Sequence, residues 1–184
     1  MLKHRYFNNV FGNNKLSYNC GGFALNECSW ITPWVSDDYD DYDDLIYDDN
    51  NNIFNLNYTY ENGYTNSYRK HLIYTLSKHL SYDQITNIIL ENDADYLIKT
   101  YSYLQRCELE NTNACDKIIA YRIFYKLDEN NMVIDYDFHF KVRIDGCWYE
   151  KLGGNVIQYA NLDDWDYSEL CYNSATIYFK DSRY

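Results

Sequence analysis

Proline is nearly missing from this chain: Pro33 is the only one in 184 residues, and glycine occurs seven times. Set beside 23 tyrosines, 8 phenylalanines and 4 tryptophans, that scarcity is the opposite of a disordered composition. No apolar run is long enough to cross a membrane. The first residues, Met1 to Tyr6, lead into Asn and Gly rather than into a signal-peptide core. Positive charge is short as well. Sixteen Lys and Arg stand against 28 Asp and Glu, a formal net charge of −12. Such a chain has no basic excess to displace counterions from phosphates, so direct nucleic-acid binding is not expected. It repels anionic membranes and attracts basic partners. The six cysteines (Cys20, Cys28, Cys107, Cys115, Cys147 and Cys171) contain no C-x-x-C and no zinc-ribbon spacing. Neither a metal nor another cofactor is expected. A cytoplasmic protein with free thiols is the default expectation, although an even count leaves a disulfide framework open. The length suits one domain spanning 1–184 with a core of its own.

What is present centres on Asn19-Cys20-Gly21-Gly22-Phe23-Ala24-Leu25. Asn19 is a good helix N-cap, since its side-chain oxygen can accept from an orphan amide of the first turn. Cys20 then occupies the first helical position, where the helix dipole favours a thiolate. Gly21 and Gly22 cost a helix roughly 1 kcal/mol each relative to alanine. Such a pair is easier to explain if something must approach the backbone closely. The helix is expected from Cys20 to Ser29, with Phe23, Ala24, Leu25 and Cys28 on the core side. The same pattern also fits a cysteine that is only a small buried hydrophobe.

Further along, Tyr68, Leu72, Leu76 and Leu80 recur four apart and predict an amphipathic helix within 65–80. Ser81 and Gln84 form a capping box before Ile85, Ile88 and Ile89, and helix is the expectation through Asp95–Gln105. After Cys115 the character changes. Lys117–Leu127, Val133–Ile144, Cys147–Leu152 and Ser174–Phe179 read as strands, and Asp145-Gly146 is a two-residue hairpin signal. Helices first and an antiparallel sheet second define an α+β domain. With Asp145-Gly146 as the loop, Ile144 faces Cys147, Lys141 faces Glu150 and His139 faces Leu152. Alternation then places His139, Lys141 and Glu150 on one sheet face. Glu150 is the diagonal neighbour of His139, within reach to fix its tautomer. Asp137 shares that face, so parity alone leaves the partner of His139 open between the two.

Asn19-Cys20-Gly21-Gly22-Phe23-Ala24-Leu25, Asp137-Phe138-His139-Phe140 and Asp145-Gly146-Cys147-Trp148-Tyr149-Glu150-Lys151-Leu152-Gly153-Gly154 together resemble the papain-like cysteine hydrolases of the NlpC type, in their divergent bacterial and phage-encoded form. The resemblance implies a nucleophile helix packed on an antiparallel sheet. It assigns Cys20 as nucleophile, His139 as general base and Glu150 as third residue, where relatives usually carry His, Asn or Gln. It implies a thioester acyl-enzyme and a peptide or protein substrate, here a basic one. The Cys20 amide and a donor from the preceding loop, Tyr18 or Asn19 among them, would hold the oxyanion.

One stretch belongs to none of this. Within an insertion at about 36–52, Asp37, Asp38, Asp40, Asp41, Asp43, Asp44, Asp48 and Asp49 place eight aspartates in 13 positions, interleaved with tyrosines. It reads as a solvated acidic insertion. A second reading is a phosphate-backbone mimic that occupies the site of a nucleic-acid-binding protein, which would make the chain a non-enzymatic inhibitor of the phage anti-defence kind.

Overall fold

The computed structural model describes residues 18–33, 45–47, 53–55, 73, 76–130, 133–153, 155–167 and 170–184. Its centre is a six-stranded antiparallel sheet in the order β3-β10-β4-β5-β6-β7. The strands are β3 (Leu104–Arg106), β4 (Ile118–Leu127), β5 (Val133–Ile144), β6 (Cys147–Lys151), β7 (Ile157–Tyr159) and β10 (Ile177–Asp181). Two small ribbons accompany it: β1 (Leu45–Tyr47) with β2 (Ile53–Asn55), and β8 (Asp166–Tyr167) with β9 (Leu170–Cys171). Among the described residues the helices with stated bounds are α1 (Cys20–Leu25) and α2 (Tyr82–Thr100), with a 3-10 turn at Leu109–Asn111. The fold is thus α+β with an antiparallel sheet.

The β5–β6 hairpin forms because Asp145 and Gly146 both adopt positive φ, 50° and 78°, as a two-residue turn between twisted strands requires. Its register is the expected one, with Ile144 opposite Cys147 and Lys141 opposite Glu150. Pairing stops there. β6 ends at Lys151, ahead of Gly153 at φ +49°, so His139 has no partner in β6. Among the described residues β5 runs on alone on that side, paired only with β4.

Alternation divides the buried residues between the two faces. Ile119, Tyr121, Ile123 and Tyr125 of β4, with Tyr136, Phe140, Val142 and Ile144 of β5, form the main core against Phe23, Ala24 and Leu25 of α1 and Ile85, Ile89, Ala94 and Leu97 of α2. Each fully buried side chain of that size contributes about 1.5–3 kcal/mol. The opposite face carries a much smaller cluster of Ala120, Phe124, Trp165 and Tyr172. Polar residues lie beside it, including Arg122, His139, Lys141 and Glu150, as their contacts with Trp165 and Tyr167 record.

α2 starts at the capping box: Gln84 N donates to Ser81 Oγ (3.4 Å) and Ser81 N to Gln84 Oε1 (2.9 Å). It ends at Thr100, and Leu104–Arg106 is a strand paired with β10, a correction to the expected helix. The last strand likewise begins at Ile177 and runs to Asp181. Of the expected 65–80 helix, Ile73 and Leu76 are helical and buried, while Tyr68 and Leu72 lie outside the described residues. Among the described residues no helix is long and apolar enough to cross a membrane.

Candidate active site

α1 is held at its N-terminus by Asn19, whose extended backbone makes it the cap. Asn19 Oδ1 accepts from Gly22 N and from Ile31 N, both at 3.0 Å, and its Nδ2 donates to Ile31 O at 2.8 Å. Every polar atom of this side chain is therefore used in tying α1 to the returning loop. The glycine pair answers the same need. A Cβ on Gly21 would lie 2.7 Å from Ile31 O, and one on Gly22 would lie 2.1 Å from Ser29 O. What approaches the backbone so closely is the chain's own 27–31 segment. The helix also stops sooner than expected, because Asn26 turns into the left-handed region at φ 60°. Cys28 is consequently exposed and does not anchor the helix.

Cys20 is 6% exposed. Its thiol donates to Phe138 O at 3.9 Å, on the stretch of β5 that β6 leaves unpaired. Burial pushes this thiol up to about 12. The Phe140 N–H and the Gly21 and Cys20 amides pull the other way, and Asp137 adds to the rise. The helix start thus does favour a thiolate, but desolvation outweighs it and the resting group is the neutral thiol.

His139 is 3% exposed, on the face opposite its neighbour Phe140. Its Nε2 lies 3.3 Å from Glu150 Oε2. Tyr167 OH donates to the same oxygen, Gln158 Nε2 donates to Oε1 at 2.9 Å, and Lys141 Nζ stands 3.9 Å from Oε2. Burial disfavours the Glu150 charge, but the His139, Tyr167 and Gln158 hydrogen bonds and the Lys141 charge outweigh it and hold the carboxyl at about 2. An ionised carboxylate only accepts, so the proton of a neutral imidazole sits on Nε2 and Nδ1 carries the lone pair. Three rings enclose the imidazole: Tyr167 at 5.2 Å, Tyr172 at 5.7 Å and Trp165 at 6.1 Å between centroids.

The choice between carboxylates is thereby settled in the structure. Glu150 faces His139, whereas Asp137 Oδ2 accepts from Tyr172 OH at 2.7 Å. Cys20 packs in the main core cluster with Phe140, whereas His139 points to the other face of β5; the two share no hydrogen bond, and the thiol is turned to Phe138 O. Burial foremost raises the phenols of Tyr167 and Tyr172, and the charge of Cys20 contributes to both. Tyr18 is buried, with the Lys151 ammonium 4.9 Å from its ring centroid. The eight aspartates of the acidic run lie outside the described residues, where only Leu45–Tyr47 of that stretch is assigned, to β1. No group of His, Cys, Asp and Glu suited to a metal ion occurs among the described residues.

Tyr167, Tyr172, Trp165 and Gln158 were missed by sequence reasoning. Gln158 pairs directly with Glu150 across β6 and β7, but three residues are too short to display a strand period. The aromatic residues come from an acidic, irregular stretch with no periodic signal. No protein-family model matches the chain, and no curated protein or solved structure matches it either.

Proposed function

We propose that this protein is a cysteine-dependent hydrolase of peptide or amide bonds, with a papain-like, NlpC-type arrangement of Cys20, His139 and Glu150. The observation that carries the reading is the buried His139–Glu150 pair at 3.3 Å, beside a capped helix that delivers a cysteine to the same stretch of β5. Glu150 orients the ring and leaves Nδ1 as the basic nitrogen. Once the thiol leaves Phe138 O, Nδ1 takes its proton, and sulfur attacks the acyl carbon to form the C–S bond. The imidazolium returns that proton to the departing amine as the C–N bond breaks. Water, deprotonated by His139, then cleaves the thioester. The Cys20 and Gly21 amides, which act on the sulfur at rest, are the donors best placed for the oxyanion. A net charge of −12 suits a basic peptide or protein substrate.

Trapping the acyl-enzyme tests this. Incubation with an activated phenyl ester, followed by peptide mapping, should give a thioester on Cys20. His139→Gln should slow its formation by about 10²–10⁴-fold, the usual worth of a general base. Acylation confined to the exposed Cys28, Cys115 and Cys147, or indifferent to His139, would remove the hydrolase reading.

A further inference from the structure

Among the described residues three lysines are fully buried: Lys117, Lys141 and Lys151, each 1% exposed. An ammonium out of water is costly unless an anion compensates it. Lys117 has its anion, with Nζ 2.9 Å from Asp181 Oδ2. Lys141 has one as well, with Nζ 3.9 Å from Glu150 Oε2. Lys151 differs. Its ammonium donates to Gly153 O and stands 4.9 Å from the Tyr18 ring centroid, and among the described residues no carboxylate pairs with it.

The strand sets where this charge lies. Glu150 turns to the small cluster with its partner Lys141, so alternation turns Lys151 to the main core. Tyr149, two residues earlier, and Ile157, its partner in β7, both belong to that core. α1 packs on β5 and β6 from the same side and brings Cys20 into the same core. The titratable groups gathered here are the Cys20 thiol and the phenols of Tyr18, Tyr149 from β6 and Tyr159 from β7, while β5 supplies Phe138 and Phe140. Of these, the Cys20 charge acts on Lys151. Burial pulls the ammonium down from its ordinary value, and Cys20 pulls it back up. Asp137, bonded to Tyr172 on the opposite face, works against ionisation of the thiol. A positive charge on the thiol's own face is what a thiolate at Cys20 requires.

We propose that Lys151 is the counter-ion of the Cys20 thiolate, a buried ammonium kept without a carboxylate so that the ionised sulfur becomes its anion. The proposal rests on reading Cys20 as the nucleophile, and it adds the group that neutralises the sulfur. The S–H bond breaks, its proton passes to His139, and Lys151 keeps the protons it already holds. Until that step the thiol is neutral and the ammonium is an uncompensated charge in the core. Lys151 therefore destabilises the resting fold and stabilises the ionised one. Those two effects have opposite signs, and a lysine with a purely structural role would not show them together.

The experiment takes two readings on the full chain: the urea midpoint, and the rate of Cys20 alkylation by iodoacetamide at pH 8, resolved by mass spectrometry. Lys151→Met keeps the bulk and deletes the charge. Its urea midpoint should equal or exceed that of the wild type, because an apolar side chain replaces an uncompensated charge. Its Cys20 labelling should nonetheless slow by about three- to thirtyfold, with the exposed Cys28, Cys115 and Cys147 unchanged. A neighbouring opposite charge is worth about one to three pH units to an acid, and the more basic sulfur left behind recovers about half of that, on a logarithmic scale, as nucleophilicity. Lys151→Arg retains the charge and should label within about twofold of the wild type. An unchanged or faster Cys20 rate in Lys151→Met overturns the proposal, as does a lowered midpoint or a chain that does not fold, since either assigns the ammonium to folding. A folded Lys151→Arg as slow as Lys151→Met also overturns it; should the arginine variant not fold, the two methionine readings decide. His139→Gln separates the proposal from the reading beneath it. If Lys151→Met slows Cys20 and His139→Gln does not, the counter-ion stands and the hydrolase loses its base. If only His139→Gln slows Cys20, the base stands and the counter-ion falls.

Discussion

Cys20 shows how two effects of opposite sign are ordered by magnitude. First-turn amides and the Phe140 N–H draw the thiol toward ionisation, and burial drives it up to about 12. The linkage has a definite sign. An unfolded chain gives up this proton near pH 8.5, whereas the folded chain keeps it to about 12. The stabilisation is complete below the unfolded value and is lost as pH rises through that window. Stability of the wild type should therefore fall by about 1.4 kcal/mol per pH unit more than that of Cys20→Ala between pH 9 and 11. Urea unfolding of both proteins across that range checks it, and parallel profiles would show that the thiol ionises freely in the fold. The glycines beside Cys20 carry a related lesson. Their sequence signal, a close approach to the backbone, was legible, but its cause was not. The carbonyls of Ser29 and Ile31 come from residues that no local pattern places over the helix.

Of the two α-helices with described bounds, α1 is the shorter and the more elaborately fixed. Asn19 holds its start, and the chain's final residues hold its end. Arg183 Nη2 donates to Leu25 O at 2.9 Å and to Asp181 Oδ2 at 2.7 Å, with its guanidinium 3.4 Å from the Tyr103 ring centroid. A cation at that position also suits the negative end of the helix. Asn26 Nδ2 donates to Tyr184 OH at 2.9 Å. Arg183→Ala should cost about 1.5–3 kcal/mol, the range for hydrogen bonds to a charged group, and Arg183→Lys should recover only part of it. Chemical denaturation measures both, and a loss under about 0.5 kcal/mol, the level of an ordinary surface change, would show that α1 does not depend on this contact. Elements with strong local signals were the readable ones. The capping box at Ser81, the Asp145-Gly146 turn and the shared face of His139, Lys141 and Glu150 all follow from spacing alone. The short strands β3, β7 and β8 were not readable, because two or three residues cannot show a period and are set by the neighbours they join.

For the molecule as a whole, charge is the property least accounted for by the site. An acidic run that imitates phosphates would bind a basic protein with an affinity that drops steeply with salt. A pull-down on a generic DNA-binding protein, repeated from low to high ionic strength, should then lose capture in step with salt. Asp→Asn changes at Asp40, Asp41, Asp43 and Asp44 should reproduce the loss at low salt, and capture indifferent to both would leave the run as a solvated insertion. The sheet order has a consequence of another kind. β10 lies between β3 and β4, hydrogen-bonded to both, although it is the last strand in the chain. During synthesis on the ribosome, β4, β5 and β6 can pair as they emerge, but β3 cannot join them until residues 177–181 arrive. Between the synthesis of β4 and that of residues 177–181, a nascent chain thus presents an open, apolar edge on β4. Such an edge is a template for pairing with another chain until β10 covers it.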